Sequence, residues 1–260
     1  MTSHRIESYG VLTLFGCLCL AACLSGFSSD PAQRPVVLAS KVIPVEWTNE
    51  LVLGRLLIEA TVANTQHDLS RLLAQPWYAS IDVKTSKANQ KKSLSSCNDY
   101  FLHKELGLRA EHDHDINPLL EFIVMCEAAR LLSQATPAKY SKIPKNPLDA
   151  QLPKKLPKAL ALLTSKIEWN RAQNNPKLTH WSEVNSITKV EKKSAHQSIY
   201  YSNGGAQTLS ILGHGDINGN KDDDILVAVK DTVTGGTYFN FRLFVLTVTE
   251  QGKWRIIAQY

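Results

Sequence analysis

His196-Gln197-Ser198-Ile199-Tyr200-Tyr201-Ser202-Asn203-Gly204-Gly205-Ala206-Gln207-Thr208-Leu209-Ser210-Ile211-Leu212 is where the periodicity of this chain turns from helical to strand-like. The runs His196–Tyr201 and Gln207–Leu212 carry a period of two, which places alternate side chains on opposite faces of a sheet. Between them Ser202-Asn203-Gly204-Gly205 supplies residues that tolerate the backbone of a tight hairpin turn. Reading forward, further strands fit Asp224–Lys230, Tyr238–Thr249 and Trp254–Tyr260, with Thr234-Gly235-Gly236 and Gln251-Gly252 as turns. Connections this short join antiparallel neighbours, so the C-terminal part is expected to be a β-meander.

Reading backward, Asn174–Pro176 separates that part from a helical one. Thr48 is placed to cap a helix through about Ala60, interrupted by Gly54, and a short helix fits His67–Ala74 before Pro76. Trp77–Val83 alternates as a strand, and the Lys-rich stretch Lys84–Lys92 reads as an exposed loop. Asn117 and Pro118 mark the start of a helix running to Gln134. At about 100° per residue, Glu127, Arg130 and Gln134 fall in one polar stripe. Leu120, Phe122, Val124, Met125, Ala128, Leu131 and Leu132 fill the opposite, core-facing arc. Thr136–Pro157 holds five prolines and reads as an irregular surface segment, with a helix resuming from about Pro157 to Ala172. The expected class is α+β, a helical N-terminal part followed by a C-terminal antiparallel β-meander.

At the other end, Arg5 and an apolar run from Val11 to Leu20 lead to Leu20-Ala21-Ala22-Cys23. This layout resembles the signal peptide and lipobox of bacterial lipoproteins. The resemblance implies removal of residues 1–22, acylation of Cys23 and membrane attachment through it. Residues 23–45, rich in Ser, Pro, Gly and small residues, would be a flexible tether. Two parts follow: 46–175, mainly helical, and 176–260, the β part. Leu24, where an Asp would signal inner-membrane retention, implies a periplasm-facing lipoprotein of the outer membrane. Of five cysteines, Cys97 and Cys126 alone follow the signal region. An oxidising compartment favours a disulfide between them over a buried pair of free thiols. The formal charge of +5 is mildly basic, with lysines clustered at Lys84–Lys92, Lys139–Lys158 and Lys189–Lys193. Solvated loops account for such runs, and in the envelope anionic surfaces are nearer partners than nucleic acid, which is not expected to bind.

One stretch concentrates oxygen ligands: Asp216-Ile217-Asn218-Gly219-Asn220-Lys221-Asp222-Asp223-Asp224, followed by the apolar Ile225-Leu226-Val227. Oxygens at alternate positions can converge on a hard cation. The stretch resembles the calcium loops of FG-GAP-type repeats. That resemblance implies Asp216, Asn218, Asn220 and Asp224 as side-chain ligands, with Asp222 offering its backbone carbonyl to calcium. Lys221 departs from the family's Gly, because a Cβ resists the left-handed turn. The same residues would also serve an ion-free loop of Asx turns. Glu111-His112-Asp113-His114-Asp115 resembles a surface metal cluster that would draw on His103, or else a solvated helix start favoured by the helix dipole. His180 and His214 stand alone in the sequence, and no G-x-S-x-G, H-E-x-x-H or phosphate-binding loop occurs. The expected function is therefore a non-catalytic envelope lipoprotein that binds another periplasmic or outer-membrane component, as an assembly factor, inhibitor or immunity-type protein. The alternative is a periplasmic hydrolase using dispersed acids such as Asp82, Glu111 or Asp222.

Overall fold

The computed structural model describes residues 42–86 and 90–260; Cys23, the expected signal segment 1–22 and nearly all of the expected tether 23–45 lie outside them. In chain order the elements are β1 (Glu46–Trp47), α1 (Gln66–Leu72), β2 (Ile81–Thr85), β3 (Lys91–Leu94), α2 (Cys97–His103), β4 (Leu108–Ala110) and α3 (Ile116–Gln134). There follow α4 (Lys166–Asn174), α5 (Trp181–Val184), β5 (Ile187–Lys192), β6 (Gln197–Ser202), β7 (Gly205–Gly215), β8 (Asp224–Val233), β9 (Phe239–Val248) and β10 (Trp254–Gln259). The architecture is α+β, with β5 to β10 hydrogen-bonded in sequence order as an antiparallel meander.

The hairpin at Ser202–Gly205 closes as its turn residues require, with Ser202 paired to Gly205 and Gln197 to Ser210. Gly205 lies so close to the next strand that a Cβ there would sit 2.1 Å from the Thr232 carbonyl oxygen. In β8, Ile225 to Val229 are all buried, because both faces of the sheet are covered. On one face Leu212, Leu226, Ala228, Leu243 and Val245 join the core built by α1, α2 and α3. On the other, Leu209, Ile211, Ile225, Val227 and Phe244 pack under Leu148, Leu152, Leu156, Leu160 and Trp181. Residues 136–157 are irregular, as five prolines demand, and mostly exposed, but Leu148, Leu152 and Leu156 reach into that second core.

Three further expectations are corrected. Thr48–Ala60 forms no α-helix, only a 3-10 turn at Leu53–Arg55. Long-range bonds replace helical ones: Thr61 N–H donates to Gly54, Ile58 N–H to Pro76 and Tyr78 N–H to Leu56. Gly54 permits this fold-back, since a Cβ there would lie 1.8 Å from the Thr61 carbonyl oxygen. The strand expected at Trp77–Val83 starts later, at Ile81, and the lysine stretch after it is part of a hairpin rather than a loop. Lys84 pairs with Lys91 and Val83 with Lys92, and β4 adds a third strand. Finally, α3 begins at Ile116, so Asn117 lies inside the helix, and Glu127 belongs to the interior instead of a polar stripe. From Pro157 a 3-10 turn at Lys158–Leu160 precedes α4, whose start Ser165 caps by accepting the Glu168 N–H.

Cys97 and Cys126 are bridged, with Cα atoms 5.4 Å apart, which fastens α2 to the middle of α3. Beside the bridge the fully buried Glu127 accepts hydrogen bonds from the Tyr100 hydroxyl at 3.0 Å, Lys104 Nζ at 2.9 Å and both Nε and an Nη of Arg130. Among the described residues no helix is long and apolar enough to cross a membrane.

Candidate functional site

The loop between β7 and β8 carries the Asx-rich motif, and its conformation is dictated by Asp216. One Asp216 carboxylate oxygen accepts the N–H groups of Gly219 at 2.7 Å and Asn220 at 3.0 Å; the other accepts that of Lys221 at 2.9 Å. Asn218 Oδ1 accepts the Asn220 N–H and Asn220 Oδ1 that of Asp222, so each side chain closes a turn two residues on. The path needs left-handed backbone at two positions. Gly219 has φ +80° at no steric penalty, and Lys221 adopts φ +74° despite its Cβ. What holds Lys221 there is a strap, residues 136–142. Its Lys139 and Tyr140 N–H groups both donate to the Lys221 carbonyl, at 2.8 and 3.2 Å. Thr136 exchanges two backbone bonds of 2.9 Å with Asp216, and the Asp223 N–H donates to Tyr140.

Three consecutive aspartates then meet three different fates, because successive side chains on an extended segment point to opposite sides. Asp222 turns outward to Lys142 Nζ at 2.7 Å, which leaves its backbone carbonyl accepting no backbone hydrogen bond among the described residues. Asp223 points the other way. It accepts from the Ser141 hydroxyl at 2.8 Å and holds His214 Nδ1 at 3.1 Å. His214 Nε2 lies 3.4 Å from Glu46 on β1. The bond to Asp223 raises the His214 pKa above its ordinary value against the opposing effect of burial, with Glu46 adding to it.

Asp224 is fully buried, and its Oδ1 has no hydrogen-bond partner, while Oδ2 accepts the Ile217 N–H at 3.2 Å. Burial pushes its pKa up to about 6, helped by the nearby Asp216 carboxylate and opposed by the Thr247 hydroxyl and the Ile217 N–H. An orphaned carboxylate oxygen inside a fold is costly, and proteins rarely leave one uncompensated. The groups around it are oxygen donors only, but Asp216 already accepts four hydrogen bonds, from the Gly219, Asn220 and Lys221 N–H groups and the Thr136 hydroxyl, so a cation would have to displace some of them. Asp216, Asn218, Asn220, the Asp222 carbonyl and Asp224 are the groups that could hold a hard divalent ion here, with the Asp222 carboxylate diverted to Lys142.

The other candidates lie outside this loop. Asp82, Glu111 and His112 place ligand atoms within 4.8 Å of one another, with Asp82 where His103 was expected. Glu111 is already paired with Lys91 at 2.5 Å and Lys84 at 3.4 Å, and the Lys91 bond depresses its pKa. His112 and His114 stack in parallel, 5.4 Å apart, above a 3-10 turn at Asp113–Asp115 that leads into α3. His180 bonds the Thr179 hydroxyl at the start of α5. Asp82 and Glu111 thus share the three-stranded sheet, whereas Asp222 sits on the meander. Sequence reasoning missed the strap and the His214–Asp223 pair. The alternation of Asp222, Asp223 and Asp224 was the available sign that Asp223, outside the expected ligand set, would point to a partner of its own.

Comparison with family models, with curated proteins and with solved structures returned no match.

Proposed function

We propose that this chain is a binding module of the bacterial envelope, anchored through acylated Cys23 at the outer membrane, whose sheet is braced by calcium in the β7–β8 loop. It recognises another envelope component rather than turning over a substrate. The observation that carries the cation half is the buried, unpartnered Oδ1 of Asp224 at the end of a loop already wound around Asp216. Calcium there would neutralise a carboxylate that burial otherwise disfavours, and would draw on Asn218, Asn220 and the Asp222 carbonyl to complete its oxygen shell. Support for binding over hydrolysis comes from the acids themselves. Asp222 and Glu111 are engaged in ion pairs with lysines, and Asp222 in the β7–β8 loop lies outside the group that Asp82 and Glu111 form beside the three-stranded sheet.

Photo-crosslinking of the lipidated protein in intact cells tests this reading. A discrete adduct with one envelope component is expected, weakened by chelator and by Asp224→Asn. Absence of any adduct, or an adduct indifferent to both treatments, would overturn the partner or the cation half respectively.

A further inference from the structure

The sheet ends at β5, which pairs with β6 alone. Its outward N–H and C=O groups therefore meet no other strand among the described residues, the arrangement that an added strand completes. Beside this edge lie two adjoining cavities of about 510 and 270 Å³ that share Ala150 and Val190. Together they follow β5 from Ile187 to Lys192, under the layer formed by residues 146–154. Lysines line them: Lys154 and Lys189 in the larger, Lys192 in the smaller. The neighbouring acids are neutralised, Glu191 by Lys189 and Lys193, Asp149 by Lys155 at 3.7 Å. Lys154 and Lys192 form no ion pair of their own within 4 Å among the described residues. The groove is thus extended, positively charged and bordered by unused backbone groups.

We infer that β5 is the docking edge for an extended acidic peptide segment of the partner, which adds to the sheet as a further strand. This deepens the proposed binding function and rests on it. Backbone hydrogen bonds supply the attachment, and Lys154 and Lys192, on the side of the cavities, select for acidic side chains. Lysines also guard edge strands against unwanted pairing, and a selective acidic strand is what such a guarded edge admits.

The test uses the full-length protein and a fluorescein-labelled peptide of about ten residues alternating glutamate with valine, long enough to span β5 at about 3.3 Å per residue. Saturable binding by anisotropy is expected. It should fall about tenfold or more when the peptide is N-methylated at every amide, and again with Lys154→Glu and Lys192→Glu combined. Because these two lysines are exposed and form no ion pair among the described residues, the double variant should melt like the wild type. Amide exchange along β5 should slow when the peptide binds. No saturable binding, equal binding of the N-methylated peptide, or an unaffected double variant would each overturn the edge-strand proposal. A cellular crosslink that maps away from β5 would do the same while leaving the binding function intact. A peptide that binds β5 in a protein with no cellular adduct would instead support the edge and overturn the envelope-partner reading.

Discussion

Lys221 and Glu127 are the two residues whose surroundings contradict their chemistry most sharply. Lys221 keeps φ +74° between Asp216, which accepts its N–H, and Lys139 and Tyr140, which grip its carbonyl oxygen. A left-handed residue with a Cβ is disfavoured by roughly 1–2 kcal/mol, while glycine loosens the unfolded chain by about 0.5–1 kcal/mol. Lys221→Gly should therefore stabilise the protein by a few tenths to about 1 kcal/mol, read as a small rise in the thermal midpoint. A fall would mean that the lysine side chain contributes something its backbone does not reveal. Glu127 is fully buried but ringed by Tyr100, Lys104 and Arg130. Burial pushes its pKa up, and the bonds from Lys104, Arg130 and Tyr100 more than reverse this, so the net value is lowered. For a depressed carboxylate the stabilisation is complete above the unfolded value and lost as pH falls through the folded one. Unfolding free energy should thus decline below about pH 4.5, less steeply in Glu127→Gln. Glu127→Ala should cost about 1–3 kcal/mol at neutral pH, since the Tyr100 hydroxyl and the partly exposed Lys104 and Arg130 lose their acceptor. Denaturant midpoints at stepped pH measure both effects.

Among the elements, α2 depends most on a covalent tie. The bridge closes a loop with a sequence separation of 29 residues, which constrains the unfolded chain by roughly 3–4 kcal/mol on the loop-entropy view. Cys97→Ser with Cys126→Ser should lower the melting temperature and speed amide exchange in α2 first, leaving β6 to β9 protected. Uniform loss of protection would show α2 to be part of one cooperative unit. Of the six meander strands β6 to β10 were legible, most from a local rule, a period of two closed by a glycine turn, as at Ser202–Gly205 and Gly252. The long helix was legible from its apolar arc for the same reason. The stretch after Thr48 was not, because its backbone partners lie at Thr61, Pro76 and Tyr78, beyond any helical window. β5 at Ile187–Lys192 was missed: its lysines read as a solvated loop, and a register shift after Ile187 breaks its alternation. Lysines disguised the β2–β3 hairpin, since Lys84, Lys91 and Lys92 interrupt the apolar pattern that Ile81, Val83 and Leu94 mark on the inner face. Glu127 was misplaced because the groups that justify its burial, Tyr100 and Lys104, sit 27 and 23 residues upstream.

At the scale of the whole molecule, the meander is the central layer between α1–α3 and the leucine-bearing segment 148–160. The β7–β8 loop is where these layers are fastened together. The strap leaves the end of α3, grips Asp216, Lys221 and Asp223, and continues into the segment covering the opposite face. Lys142 adds a tie to Asp222 and, at 3.3 Å, to Glu250 beyond β9. A cation bound at Asp216 and Asp224 would therefore stabilise more than its own turn, because the strap holds the loop to both covering layers. The ligand residues were legible one by one; the strap that shapes them was not, because it lies some 80 residues away in sequence. Calorimetric titration of the purified protein with calcium, paired with melts in calcium and in chelator, tests this account most directly. A dissociation constant on the order of 10⁻⁴–10⁻³ M is expected. At about ten times that concentration the gain is roughly 1.4 kcal/mol, and Asp216→Ala should abolish it. No heat of binding, together with identical wild-type melts in both buffers, would contradict the cation and leave the loop an assembly of Asx turns.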